Sequence, residues 1–448
     1  MHAHPPLTHD GSRPVAEEAD VPFPRVLGHL PAALDGRFLR IGPNPLGGAR
    51  DPRRHALAGD PMVHGLRIRD GAVAWYRNRW LRTGRVCAAL DALPTPGPRH
   101  GLSEDCGGNL LWHAGRLFAI GDGGVLPVEL DAELRTVARS DFGGTLAGGF
   151  GAHPERDPLT GELLAMAYSH EEPYLRFVTV GPDGSVRGDV PIDVKFPSMV
   201  HAFSLTERYA VVYDLPVRFD PCAAASGSRI PYTWHAGHEA RLGVLDRASG
   251  GTDVLWIDIE PCYVFHALNA YEEGGLLTVD VVRHARVFDR DRLGPGESEP
   301  TLWRWTVDPV RGTVAQSRLS DVPQEFPRVD DRFRTLRHRY GFATAMDRGG
   351  RAGPFAGPAL LRHDLRTGRL DVHRYGRGRV AGEAVFVPRS ESAPEGDGWL
   401  LSLLYDASTD LSELIVLDTE DFTGEPAARV PLPVRAPHAL HSAWIPAC

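Results

Sequence analysis

The chain reads as an all-β protein, a β-propeller of seven blades, and three observations predict it. Glycine and proline, 49 and 38 of 448 residues, are too frequent for a helical protein and suit many short strands joined by turns. Strand–turn–strand patterns recur seven times, with turns about 50 to 66 residues apart. Histidines and acids recur on a similar interval. His266, Glu325, Glu383 and His441 are separated by 59, 58 and 58 residues, and His201, His153 and Asp122 precede His266 in steps of 65, 48 and 31. A repeat array closed into a ring aims such positions at one axis.

The seven hairpins fall at 64–76, 126–138, 175–192, 242–257, 302–319, 360–375 and 414–432, with turns near Gly71, Glu133, Gly184, Gly250, Gly312, Gly368 and Gly424. Apolar–polar alternation around DG, GG and TG pairs is a hairpin signal because those turns need positive φ. Further strands read at 115–122, 162–169, 208–214, 275–282 and 399–406. Two inner and two outer strands per repeat make a four-stranded blade. Short helices are expected at 105–112 and 331–340, and inserts at 84–104, 215–240 and 283–300 are expected as loops that cap one face. The polar, proline-bearing start is expected to be a disordered leader (1–25), followed by one propeller domain (26–448).

Composition excludes several classes. A net charge of -9 with scattered Lys and Arg argues against a nucleic-acid partner. No run of 18 uncharged apolar residues predicts a membrane span. Five cysteines, widely spaced and without a CxxC pair, argue against disulfides or a thiolate metal site, so a reducing cytoplasm is expected.

One blade per position places His153, His201, His266 and His441 on blades three, four, five and one, and the acids Asp122, Glu325 and Glu383 on blades two, six and seven. Imidazoles suit iron(II), copper or zinc, whereas calcium or magnesium would want oxygen ligands. A lone buried histidine is more often a hydrogen-bonded core residue; four at one phase favour a shared metal. His64 stands between the two readings. The other histidines share no phase and read as surface or structural.

Several segments resemble the carotenoid cleavage oxygenase family from about residue 30 to the C-terminus. GRFLRIGPNP (36–45), GDPMVHGLRIRDG (59–71) and NRWLRT (78–83) are similar to its opening motifs. FPSMVHAF, FHALNAYEE, EFPRVDDRF, EAVFVPR and RAPHALHSAW each resemble a motif that carries a ligand or a supporting acid. The resemblance implies a seven-bladed propeller with non-haem Fe(II) held by His153, His201, His266 and His441, and with Asp122, Glu325 and Glu383 behind them. Departures are Asp122 where the family has Glu, Ala202 for Asp, Pro61 for Gly and Ser442 for Gly. The shorter arm of Asp122 is expected to bridge less well to its histidine.

The activity implied is a dioxygenase that adds O2 across an electron-rich C=C bond and yields two carbonyl products. Stilbene-cleaving members place a Lys before the first supporting acid; here Gly121 stands there, which favours a carotenoid or apocarotenoid-like substrate. A stilbene or phenylpropene is the alternative. Outside the family, the alternatives are a calcium- or zinc-dependent propeller hydrolase and a non-enzymatic interaction propeller. Trp80, Phe150, Phe196, Phe265 and Trp444 are the aromatic candidates for an apolar tunnel. A long apolar substrate would also favour an entrance in peripheral contact with a membrane.

Overall fold

The computed structural model describes residues 11–47, 55–101, 106–249, 253–347, 355–438 and 440–447. Among them the strands form seven sheets in a ring, with one extra two-stranded hairpin. Blades two to six each have four antiparallel strands taken in chain order. Innermost strands of neighbouring blades touch: Phe203–Leu205 meets Tyr263–Glu273, which meets Gln324–Arg328, and Val385–Pro388 meets His441–Pro446, which meets Asn109–His113.

All seven predicted hairpins and the five further strands are present, although the turn at Gly250 lies outside the described residues. Asp70 and Gly71 show why the first hairpin turns where it does. Their φ values of 53° and 71° give two successive left-handed residues, the geometry that matches the twist of antiparallel strands.

The ring is closed by both ends of the chain. Blade one takes the order Asp20–Pro22, Ala72–Trp80, Pro61–Arg69, Gly36–Pro43, with the C-terminal His441–Pro446 added innermost. Blade seven takes Leu27–Gly28 as its outer edge. Each terminus therefore completes a sheet begun at the other.

Apolar side chains fill the spaces between blades. Trp305 of blade five is fully buried and sets its ring edge-on to Tyr213 of blade four, with centroids 5.7 Å apart. Phe150 and Phe142 make the same kind of contact between blades two and three, at 5.3 Å. No helix among the described residues is long and apolar enough to cross a membrane.

Both expected helices give way to other structure. The 105–112 segment, whose first residue lies outside the described set, carries the strand Asn109–His113. It pairs with Arg116–Ile120 across Ala114 and Gly115, both at positive φ, so a tight hairpin turn wins over helix. At 331–340 a single 3-10 turn forms at Asp331–Phe333, and Tyr340 already opens the next strand. The helices that do form lie in the inserts expected as loops. Gly84–Ala89 is capped by Thr83 and Pro221–Ala225 by Asp220, whose side chains accept from first-turn N–H groups. The 215–240 insert is the extra hairpin, pairing Val217–Phe219 with Tyr232–Trp234.

Candidate metal centre

Each histidine comes to the axis from the inner edge of its own blade. His153 lies just before Glu155–Arg156, His201 just before Phe203–Leu205, and His441 opens His441–Pro446. His266 lies inside the strand Tyr263–Glu273, not at its start. There the pairing slips between Val264 and Ala267, so one extra residue bulges and turns the imidazole onto the axis. Glu325 precedes a similar slip, with Phe326 at φ 55°. Glu383 lies where the inner strand of blade seven breaks between Arg379–Ala381 and Val385–Pro388. Asp122 follows Arg116–Ile120, the second strand of blade two.

The four imidazoles converge, with one ring nitrogen from each all lying within 4.8 Å of one another. Three have a carboxylate behind them. His201 Nδ1 stands 2.5 Å from Asp122 Oδ2, His266 Nδ1 2.6 Å from Glu325 Oε2, and His441 Nδ1 3.3 Å from Glu383 Oε1. A carboxylate at Nδ1 fixes the tautomer that leaves Nε2 as a lone pair. His266 Nε2 and His441 Nε2 then face each other at 3.2 Å, two lone pairs that only a cation or proton between them makes favourable. The Nε2 of His153 is buried without a hydrogen-bond partner. A transition metal that takes imidazole nitrogen satisfies all of these groups at once, so the donor set fits one.

The two glutamates are held in their charged form. Burial would raise the Glu325 carboxyl, but His266 and His284 outweigh it and keep it well below the usual carboxylate range. Burial opposes Glu383 in the same way and is outweighed by Arg328 and His441. His441 is pushed down to about 4, by burial first, so its imidazole is neutral at neutral pH. Burial and the other three imidazoles likewise hold His153 well below the ordinary histidine range.

The short arm of Asp122 does not weaken its bridge: its distance to the histidine is the smallest of the three. The backbone comes to meet it. Gly149 packs so closely on Gly124 that a Cβ there would lie 2.1 Å from the Gly124 carbonyl carbon. This apposition brings the 149–152 segment under Asp122, whose Oδ1 accepts from the Ala152 N–H at 2.9 Å.

A cavity of about 1060 Å³ opens onto the cluster and is lined by His201, His266 and His441. Its apolar wall includes Met199, Phe219, Tyr232, Phe265 and Phe326. The 215–240 and 283–300 inserts form much of its cover. None of the described residues of the 84–104 insert lines it.

Of the five aromatic tunnel candidates, Phe265 alone lines this cavity. Trp80 is buried against Met62 and Val86 and donates to the Asn44 carbonyl. Phe150 belongs to the packing between blades two and three. Phe196 lies under the Arg218 guanidinium, 3.5 Å from the ring centroid. Trp444 packs into the core of blades one and seven, with Gly36 flat against its ring.

His284 was missed in the opposite sense. It shares no phase with the four clustered histidines because it lies on a second strand, paired with Tyr263, yet its Nε2 donates to Glu325 Oε1 at 2.9 Å. His64 resolves as structural: it is buried with Nδ1 2.9 Å from the Tyr76 hydroxyl, and burial pushes its pKa down to about 3.

Comparison with known proteins agrees with this architecture. The family described as "Retinal pigment epithelial membrane protein" matches residues 12–446. The carotenoid cleavage oxygenase of Mycobacterium tuberculosis is 40% identical over 97% of this chain and 96% of its own length. The carotenoid 9,10(9',10')-cleavage dioxygenase of Crocus sativus is 30% identical over 98% of this chain and 90% of its own. The crystal structure of Pseudomonas brassicacearum lignostilbene dioxygenase superposes with a TM-score of 0.87 at 29% identity, covering 99% of this chain and 98% of that one.

Proposed function

Because the chain belongs to the carotenoid cleavage oxygenase family, we propose that it is an iron(II) dioxygenase that splits one C=C bond of a carotenoid or apocarotenoid-like polyene into two carbonyl products. The observation that carries this is the four-imidazole cluster, with carboxylates behind three members, at the wall of a large apolar cavity.

His153, His201, His266 and His441 would hold the iron. When bound, iron(II) supplies the activation of O2 toward the alkene, and no external reductant is needed because both oxygen atoms end in products. The protein's part is orientation and exclusion. Asp122, Glu325 and Glu383 hold the Nδ1 protons, so three Nε2 lone pairs point to one place. With no carboxylate among the ligands, the metal keeps its full charge. The apolar wall excludes water from the reacting bond and aligns a conjugated chain by contact alone.

The cavity wall carries no lysine, and the cation among its described lining residues, Arg229, is exposed at the rim, which supports a polyene over a phenol. Lys195 is the single lysine of the chain, and it lies against Phe196, away from the cavity wall. A phenolic substrate would want such a cation beside its oxygen, whereas a polyene needs none. Peripheral contact with a membrane rests on the substrate's apolar chemistry, since the rim carries Arg229, Asp291 and Glu299 beside the exposed Leu293.

The test is metal analysis of protein purified without chelator, paired with O2 uptake on an apocarotenal and on a hydroxystilbene. About one iron per chain, uptake on the apocarotenal and two aldehyde or ketone products are expected. Uptake on the hydroxystilbene alone would move the substrate to the stilbene class. Calcium in place of iron, without uptake, would overturn the reading in favour of a hydrolase or binding propeller.

A further inference from the structure

The strand Gln324–Arg328 of blade six reaches two different histidines, and its bulge makes this possible. In a regular strand residues three apart face opposite sides. Here Glu325 pairs with Thr344 while Arg328 pairs with Phe342, three steps against two, so Arg328 returns to the face of Glu325. Glu325 turns back to His266 on blade five. Arg328 turns forward. Its Nε donates to Glu383 Oε1 on blade seven at 2.8 Å, and a terminal nitrogen donates to the Ser442 carbonyl on blade one at 2.7 Å.

Ser442 directly follows His441, and its N–H donates to Glu383 Oε2 at 2.6 Å. The guanidinium, the carboxylate and the Ser442 peptide therefore form a closed set of hydrogen bonds around the backbone that carries His441. The set also joins three consecutive blades at the point where the ring closes. Glu383 Oε1 is shared between Arg328 and His441 Nδ1, and its 3.3 Å reach to the imidazole is the longest of the three acid–histidine pairs. The carboxylate alone holds His441 loosely; the planar fork of Arg328 fixes both the acid and the chain beside the ligand.

Resting on the metal-centre reading above, we infer that Arg328 is a positioning residue for His441. It touches neither substrate nor reacting atoms and acts through Glu383 and the Ser442 carbonyl. Its hydrogen bonds serve one histidine of the four, and this separates it from a general contribution to stability.

The experiment follows release of cobalt(II) or iron(II) from the loaded, folded protein to a chelator, together with the cobalt(II) visible spectrum. Arg328→Gln is expected to release metal about 10- to 100-fold faster, the scale on which groups behind a ligand act, and to shift the cobalt bands. Arg328→Lys keeps the buried charge without the fork and is expected to fall between Gln and wild type; it serves as the reporter where the Gln variant does not fold. In a double-mutant cycle Arg328→Gln and Glu383→Gln are expected to be non-additive, because they remove one linkage, while Arg328→Gln and Asp122→Asn add. Release at the wild-type rate, or coupling to Asp122 as strong as to Glu383, would overturn the assignment. Wild-type protein that takes up no metal would instead overturn the metal-centre reading beneath it.

Discussion

A neutral imidazole offers a metal one nitrogen, and whatever holds the proton on the other decides which one. That is why the acids of this site matter as much as the histidines. His201→Ala or His266→Ala is expected to abolish both iron retention and turnover, read by metal analysis and O2 uptake; full activity with stoichiometric iron in either variant would refute their role. Asp122→Asn keeps the shape but loses the charge that draws the His201 proton, and is expected to cost about 10- to 100-fold in metal affinity or activity. Asp122→Glu is expected to gain nothing over the wild type, because the Ala152 N–H already holds the shorter side chain at 2.5 Å from its histidine. Metal titration of the three proteins side by side checks both statements.

Strands place these side chains, and irregular strands place them best. The slips at Val264–Ala267 and Glu325–Arg328 and the break around Glu383 each turn onto the axis a residue that a regular pleat would carry elsewhere. The closing strand His441–Pro446 both carries one of the four clustered histidines and seals the ring, pairing along Gly36–Ile41. Removal of residues 440–448 is therefore expected to cost metal binding and to lower the melting temperature together, whereas His441→Ala removes the metal and leaves blade one paired. Between blades, stability rests on packed aromatics. Trp305→Ala empties a fully buried site against Tyr213 and is expected to cost about 3–5 kcal/mol, read as a lower urea midpoint.

At the scale of the molecule, the propeller and its cover divide the work. The ring supplies four converging nitrogens, and the 215–240 and 283–300 inserts help line the cavity that opens onto them. Replacing residues 221–230 by a short glycine linker is expected to leave iron content unchanged while raising KM for an apolar alkene, since the cover contributes contact area and no ligand. A fall in iron content in that variant would mean that the cover also supports the metal.

The repeat interval, the hairpin turns and the phase of His153, His201, His266 and His441 were legible in the sequence, because strand alternation and turn chemistry are local properties. The same phase picked out Asp122, Glu325 and Glu383, each of which stands beside the Nδ1 of one of those histidines. What the sequence could not decide is what depends on register and on chain segments meeting from afar. Bulges reversed the facing of Arg328 relative to a regular strand, the pairing of Tyr263 with His284 delivered an unphased histidine to Glu325, and the apposition of Gly149 with Gly124 rescued a short acid. The aromatics Trp80 and Trp444 went to the core for the same reason: a side chain's face is set by the strand it pairs with, and only the folded sheet fixes that partner.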